Sequence, residues 1–338
     1  MSSEIISTAV VDWLPMVFVG LMGLSFLIYA ILDGYDLGVG VLLPLDDQQQ
    51  RDNMIYSIGP FWDANETWLV MAIGLLLIAF PKAHSIIFQA LYLPTALMLA
   101  GLILRGVSFD FRTKAPSTDK KKWDHAFKFG SLLATLSQGY MLGRYITSFE
   151  DSWLSFGFSA LSSVCVTAGY CFIGAAWLVM KTEGDLQRRA ANWAKVTNVL
   201  MAIGIVAVCL TNLLIDQQIM DKWLGGVQVL IIIPITLLLG FTFVSVHQYL
   251  GKVPMENDLG CWFPFLAAIL LFVLCFCGLA YSFYPYIVPF KITIFEAASA
   301  RESLWFIFVG AAVVLPMIIA YTIFSYKVFW GKTTKLNY

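Results

Sequence analysis

Long apolar runs alternate with short polar connections along almost the whole chain. Nine of these runs approach or exceed about 20 residues, the length that a helix needs to cross the hydrocarbon core of a bilayer. Helices are the expected spanning elements because each one satisfies its own backbone hydrogen bonds in lipid. No connection is long enough for a water-soluble domain, so the pattern predicts one membrane domain over residues 1–338. The predicted helices cover residues 14–43, 59–80, 85–109, 126–148, 154–180, 196–216, 226–247, 262–286 and 304–328.

Composition strengthens this interpretation. The chain is 59% hydrophobic and 13% charged, with a mean hydropathy of +0.77, whereas soluble domains carry about 25% charged residues. The net charge of −1 gives no reason to expect a nucleic acid partner. Residues 1–13 contain no lysine or arginine, so a cleavable signal peptide is not expected and the first run is predicted to remain as a spanning helix.

The distribution of lysine and arginine predicts the orientation of the helices. With the N-terminus outside the cell, 14 of the 21 basic residues fall in inner loops, five fall in outer loops and two lie within helix ends. Because inner loops of membrane proteins are enriched in lysine and arginine, this asymmetry predicts an outer N-terminus and a cytoplasmic C-terminus.

Two carboxylates interrupt the first predicted helix, in the segment LDGYDLGVG at residues 32–40. A carboxylate at the centre of a membrane helix costs about 2.5–3.5 kcal/mol on insertion scales, so it needs a partner, a water-filled path or a function. Asp33 and Asp36 are three residues apart and therefore share a helix face. Gly34 and Gly38 add the spacing that allows two helices to approach closely. A capping and packing role remains an alternative to a carboxylate pair that faces a polar interior.

The second predicted helix begins with SIGPFWDANETW at residues 57–68, which contains Asp63 and Glu66. Acids in the first turns of a helix are also favoured by the helix dipole, so this segment alone does not establish a function. The predicted orientation nevertheless brings all four acids to the cytoplasmic third of the membrane. Arg105, at the inner end of the third predicted helix, is the candidate to balance their charge, although it could equally extend to the lipid headgroups.

The sequence lacks the usual ligands of a redox centre. The three histidines, His84, His125 and His247, are predicted near helix ends and do not form a pair at one depth, as a haem held by two membrane histidines requires. No Cys-x-x-Cys-His segment, phosphate-binding loop or dinucleotide fingerprint is present. The six cysteines show no zinc-binding spacing. The intramembrane acids are therefore the candidate chemistry, since they can hold or relay protons.

Five segments in order resemble subunit II of the cytochrome bd-type quinol oxidases, most closely the cyanide-insensitive branch. One departure is Ala64, where many relatives have glycine. The resemblance is specific over about the first third of the chain. The matching segments are LDGYDLGVG (32–40), SIGPFWDANETWLV (57–70), AFPKAH (79–84), LYLP (91–94) and LILRGVSFDFR (102–112).

The resemblance implies an all-α membrane protein with nine helices, arranged as two four-helix bundles and one peripheral helix. On the predicted helix boundaries, residues 1–150 form the first bundle, residues 151–290 the second, and residues 291–338 an outer loop and the last helix. The family implies a bacterial plasma membrane location and a partner, subunit I, which carries haem b, haem d and the quinol site. A small single-helix accessory subunit can join them. Some relatives also hold a quinone in subunit II, but no motif here fixes such a site.

From these observations we predict a non-haem subunit of a membrane quinol:oxygen oxidoreductase. In the family, the acids matching Asp36 and Asp63 lie on a proton route from the cytoplasm, which agrees with their predicted depth. Asp33 and Glu66 are predicted to support this route, and Arg105 to balance the charge. Two alternatives remain: a proton-coupled secondary transporter that uses the same acids, and a scaffold in which the acids only lock helices together.

Overall fold

The computed structural model describes residues 13–333, except 216, 227–228 and 256–257. The segment in which no signal peptide is expected, residues 1–12, and the basic residue Lys335 lie outside the described part. The described residues form helices, one short antiparallel hairpin and the loops that connect them. Its elements are α1 (Trp13–Leu42), α2 (Gln48–Ile58), α3 (Trp62–Ala79), α4 (Pro81–Lys114), α5 (Ser117–Ile146), α6 (Trp153–Lys181), α7 (Gly184–Ile215), α8 (Gln217–Leu224), α9 (Val229–Leu250), α10 (Phe263–Phe283), β1 (Tyr286–Val288), β2 (Ile292–Thr293), α11 (Ile294–Ala297) and α12 (Arg301–Val328).

The long helices within the described ranges correspond to the nine predicted runs, and the all-α membrane fold is confirmed. Eight of them are long and apolar enough to cross a membrane: α1, α3, α4, α6, α7, α9, α10 and α12. The other long helix, α5, matches the predicted run at 126–148 but extends through a charged segment to Ser117. That α5 is a ninth spanning helix remains a prediction, as does the division into two bundles.

The sequence pattern missed α2 because this helix is short and polar. Asp47 caps its first turn by accepting a hydrogen bond from the backbone N–H of Gln50 at 3.0 Å. Capping of this kind satisfies a backbone donor that the helix cannot satisfy itself. The helix ends at Ile58, and α3 begins at Trp62, three residues after the predicted start. Helix α2 contacts α1, and α3 runs along α1 to its start, where Leu75 and Leu76 share an apolar cluster with Leu14.

Helix α1 is the centre of the packing, with α3, α5 and α6 all lying against it. Its approach to α6 is close because glycines face each other's backbones. A Cβ added to Gly38 would collide with the carbonyl group of Tyr170, and one added to Gly174 would collide with the backbone of Gly38. The predicted close-packing role of Gly34 and Gly38 is therefore confirmed: the Tyr170 ring lies against Gly34. The two helices also share aromatic contacts, including a stacked pair of Tyr35 and Trp177 with ring centroids 4.2 Å apart.

We expect Gly38→Val to destabilise the protein by about 1–3 kcal/mol or to prevent folding, because overpacking forces the backbones of α1 and α6 apart. The thermal unfolding midpoint of the detergent-purified protein measures this effect. Gly20→Ala is the matched control on the same helix, since a Cβ at Gly20 meets no atom within 4 Å. Equal midpoints for the two variants would show that the contact is not tight.

Candidate functional site: a buried carboxylate cluster

A buried ion pair joins α1 to α4. The Nη1 atom of Arg105 donates to Oδ1 of Asp33 at 2.7 Å, and both side chains are almost completely buried. Guanidinium and carboxylate groups buried in this way are stable only in direct contact, because each loses its hydration. The arginine also lies near Glu66 of α3, with 3.7 Å between Nη2 and Oε1. The structure thus brings together three of the five predicted site residues.

Asp36 lies in a different environment, although it is only one helical turn from Asp33. Its side chain is completely buried, and its Oδ2 atom accepts a hydrogen bond from Nδ2 of Asn65 at 2.8 Å. Asn65 lies on α3, next to Glu66. Helix α3 therefore supplies a neutral hydrogen-bond donor to Asp36 and a carboxylate to Arg105, the partner of Asp33. The two aspartates of LDGYDLGVG are therefore held by different chemistry.

Asp63 stands apart from these buried groups. It occupies the first turn of α3, and its side chain is exposed on the surface of this chain. Glu66 follows three residues later on the same helix face, with 31% of its side chain exposed. The charged groups thus extend from exposed Asp63, through partly exposed Glu66, to the buried pair of Arg105 and Asp33.

Hydroxyl and amide groups that no sequence pattern predicted surround Asp36. The hydroxyls of Tyr35 and Tyr326 are 2.7 Å apart, and both contact Asn65, at 3.0 Å for Tyr35 and 3.3 Å for Tyr326. Asn65 could have been suspected, because it stands between the acids of the WDANETW segment. Tyr326, on α12, is 261 residues from Asn65 in the sequence, and no local pattern connects it to this site.

A second polar chain approaches the cluster from α5 and α6. The Tyr170 hydroxyl donates to Oε1 of Gln138 at 2.8 Å, and Nε2 of Gln138 donates to the Tyr29 hydroxyl at 2.8 Å. Tyr29 precedes Asp33 by one helical turn and lies on the same face of α1. These hydrogen bonds therefore reach the face of α1 that carries Asp33, and no sequence pattern predicted them.

Another buried charge cluster lies where α2, α4 and α5 meet. Asp124 is completely buried between two arginines, with 2.8 Å to Nε of Arg51 and 2.5 Å to Nε of Arg112. Arg112 also contacts Asp52. No sequence pattern predicted this cluster. Because every charge here has a close partner, this cluster fastens the three helices together.

The three histidines lie on three separate helices. His84 lies in the first turn of α4, where its ring stacks on Phe88. His125 is exposed on α5, and His247 is exposed near the end of α9. Within the described ranges, no group of three or more His, Cys, Asp or Glu residues is arranged to hold a metal ion. The chemistry of the site is therefore that of buried acids, amides and hydroxyls.

We expect Arg105→Gln to destabilise the protein by about 3–5 kcal/mol, because it leaves the buried Asp33 carboxylate without its partner. The double variant Asp33→Asn/Arg105→Gln is expected to recover most of this loss, since it removes both charges. Unfolding of the purified variants by denaturant or heat gives the double-mutant cycle. A double variant as unstable as the sum of the two single variants would contradict the pairing.

Comparison with known proteins agrees with this architecture. The family model described as cytochrome bd terminal oxidase subunit II matches residues 14–329. Subunit 2 of the Bacillus subtilis cytochrome bd ubiquinol oxidase is 30% identical over 331 residues, covering 91% of this chain and 94% of that protein. Subunit 2 of the Escherichia coli cytochrome bd-I ubiquinol oxidase is 28% identical, covering 93% and 94%.

A solved structure shares the fold. A chain from the bd oxidase of Geobacillus thermodenitrificans superposes with a TM-score of 0.75 over 94% of this chain and 99% of that one, at 17% sequence identity. The match of the family model covers nearly the whole chain and includes every helix that carries the carboxylate cluster. The chain therefore belongs to the family of subunit II of the cytochrome bd terminal oxidases.

Proposed function

We propose that the chain is the non-haem subunit of a membrane quinol:oxygen oxidoreductase and that it conducts protons to its partner from the cytoplasm. The observation that carries the proton route is the set of acids on α1 and α3, which extends from exposed Asp63 to buried Asp36. As the family resemblance implies, the partner, subunit I, would carry haem b, haem d and the quinol site. Haem would supply the electron transfer and oxygen reduction there.

The route begins at Asp63 and Glu66. Both lie in the first two turns of α3, where a carboxylate can exchange protons with water at the membrane surface. Asp36, which is completely buried behind Asn65, is the proposed inner end of the route. Asp33 and Arg105 support the route by fixing α1 and α4 on either side of it.

The exposed face of α3 is the proposed contact with subunit I. Asp63 and Thr67 are exposed there, and Val70, one turn further on, is 73% exposed. A carboxylate that faces lipid is costly, so a protein partner that covers this face would explain its polarity. The other proposed partners are membrane lipid, quinone and a small single-helix accessory subunit.

The proposed setting is a bacterial plasma membrane, with the N-terminus outside and the C-terminus in the cytoplasm. The excess of lysine and arginine in alternate loops supports this orientation. Under it, the end of α1 near Leu42, the start of α3 and the end of α4 all lie on the cytoplasmic side. Labelling of single cysteines introduced at exposed Asp185 and at exposed Trp153 with a membrane-impermeant reagent tests this arrangement in intact cells.

Purification separates an oxidase subunit from a proton-coupled transporter. We expect the tagged chain to copurify with a second, haem-bearing polypeptide whose absorption extends into the red region. A preparation that is homogeneous, folded and free of haem would favour the transporter instead.

We expect Asp36→Asn and Asp63→Asn to lower quinol oxidase turnover by roughly ten-fold or more, because an amide cannot pass on a proton as a carboxyl group does. Oxygen consumption per haem measures turnover after assembly has been verified. Asp185→Asn is the matched control, since Asp185 is 89% exposed at the start of α7. Full turnover of both test variants would eliminate the proton route, whereas loss of assembly without loss of turnover per haem would favour a scaffold.

A further inference from the structure

The two buried aspartates of α1 differ in what holds them. We propose that Asp36 carries a proton in the resting protein, whereas Asp33 is held by its contact with Arg105, and that Asn65, Tyr35 and Tyr326 are the positioning residues of the Asp36 carboxyl group. This inference deepens the proposed function and rests on it only for the direction in which the proton moves. The protonation of Asp36 itself follows from its contacts.

Asp36 lacks the contacts that a buried carboxylate anion requires. Its side chain is completely inaccessible to solvent, and one oxygen receives a single amide N–H from Asn65. The other oxygen, Oδ1, has no hydrogen-bond partner among the described residues. Because an isolated buried charge is far more costly than a neutral acid with one hydrogen bond, the carboxyl group is protonated.

The charged neighbours of Asp36 do not change this conclusion. Arg105 is the cation near it, and Asp33 and Glu66 are the anions. The arginine is already in contact with Asp33 through Nη1 and lies 3.7 Å from Glu66 through Nη2. One cation therefore serves two other acids first, and an ionised Asp36 would be a third negative charge beside it.

A closed set of hydrogen bonds fixes the amide that contacts Asp36. Nδ2 of Asn65 is 3.0 Å from the Tyr35 hydroxyl, and the Tyr35 hydroxyl is 2.7 Å from the Tyr326 hydroxyl. The Tyr326 hydroxyl closes the ring by donating to Oδ1 of Asn65 at 3.3 Å. Nδ2 is also 3.3 Å from the backbone carbonyl oxygen of Leu32, which can only accept a hydrogen bond. The nitrogen of the amide, rather than its oxygen, is thereby directed at Asp36.

This orientation distinguishes the two oxygens of the acid. Oδ2 accepts the hydrogen bond from the Asn65 amide and is the carbonyl oxygen. The proton therefore resides on Oδ1, the oxygen that has no hydrogen-bond partner among the described residues. Loss of that proton leaves a carboxylate that keeps its Asn65 hydrogen bond. A proton arriving from the exposed acids of α3 returns the group to the neutral form. The hydroxyl is thus free to donate forward without first breaking a bond.

Tyr326 belongs to α12, whose end is fastened to α6. The buried Lys181 donates from Nζ to the carbonyl oxygens of Phe329 at 2.7 Å and Gly331 at 3.0 Å. The Tyr326 ring also packs on Phe61, with centroids 4.6 Å apart. These contacts keep the tyrosine hydroxyl within reach of Asn65, which gives the last long helix a role in the environment of Asp36.

Infrared difference spectroscopy on the intact, haem-bearing oxidase tests the proposal. We expect a carbonyl stretching band of a protonated carboxyl group that moves to lower frequency in D₂O, disappears in Asp36→Asn and persists in Asp33→Asn. Tyr326→Phe is expected to move the band to higher frequency, because a less fixed Asn65 amide makes a weaker hydrogen bond to the Asp36 carbonyl. Tyr321→Phe is the matched control, since Tyr321 is exposed on the same helix, and it should leave the band in place.

The spectra also separate this proposal from the proton route. A band that survives Asp36→Asn, or its absence from the native oxidase, would overturn the assignment of the proton, whatever the turnover. A band that does not move in Tyr326→Phe would overturn the positioning role. If Asp36→Asn fails to assemble, labelling aspartate with ¹³C at the carboxyl carbon identifies the band as that of an aspartate. Its shift in Tyr326→Phe then assigns it to Asp36. If the band is assigned to Asp36 and Asp36→Asn keeps full turnover, Asp36 is protonated but is not part of a proton route.

Discussion

The contact between Asp33 and Arg105 is the interaction on which the architecture of the site depends. Each of these groups loses several kcal/mol of hydration when it is buried, so neither is stable without the other. The 2.7 Å contact therefore fixes α1 against α4 at one depth. Helix α1 can meet this requirement and still pack on α6 because Gly38 and Gly174 let the two backbones approach directly. Charge pairing and small side chains thus act on opposite faces of one helix.

Once that pair is formed, the remaining acids acquire distinct environments. Asp36 accepts a hydrogen bond from the Asn65 amide, Glu66 lies 3.7 Å from the Arg105 guanidinium, and Asp63 is exposed. Carboxyl groups in such different surroundings differ in the cost of carrying a charge, and the proposed path for protons depends on this difference. The hydroxyls of Tyr35 and Tyr326 extend the control of Asp36 to α12, far from the other residues in sequence.

Helix α5 illustrates how a polar helix is accommodated in this fold. It carries buried Thr135 and the amide of Gln138, and it begins in a charged segment. Neighbouring helices tolerate this polarity because α4 and α6 cover it, with close contacts at Gly101 and Gly130 on one side and at Gly139 and Gly143 on the other. Hydrogen bonds such as the one between Tyr170 and Gln138 then satisfy its polar groups. Apolar composition alone therefore underestimates its fit to a membrane bundle.

The sequence by itself determined the apolar runs, the close-packing glycines of α1 and the acids that needed an explanation, because hydrophobicity and residue spacing act locally. It also identified Arg105 as a partner for these acids. Only the tertiary structure decided that Arg105 contacts Asp33 rather than Asp36, since both acids lie on the same face of α1 and spacing cannot distinguish them. Likewise, Asn65 and Tyr326 meet only when α3 and α12 pack together, and Arg51, Arg112 and Asp124 meet only when α2, α4 and α5 do. The environment of a buried charge is set by the neighbours that folding supplies, and these come from distant parts of the chain.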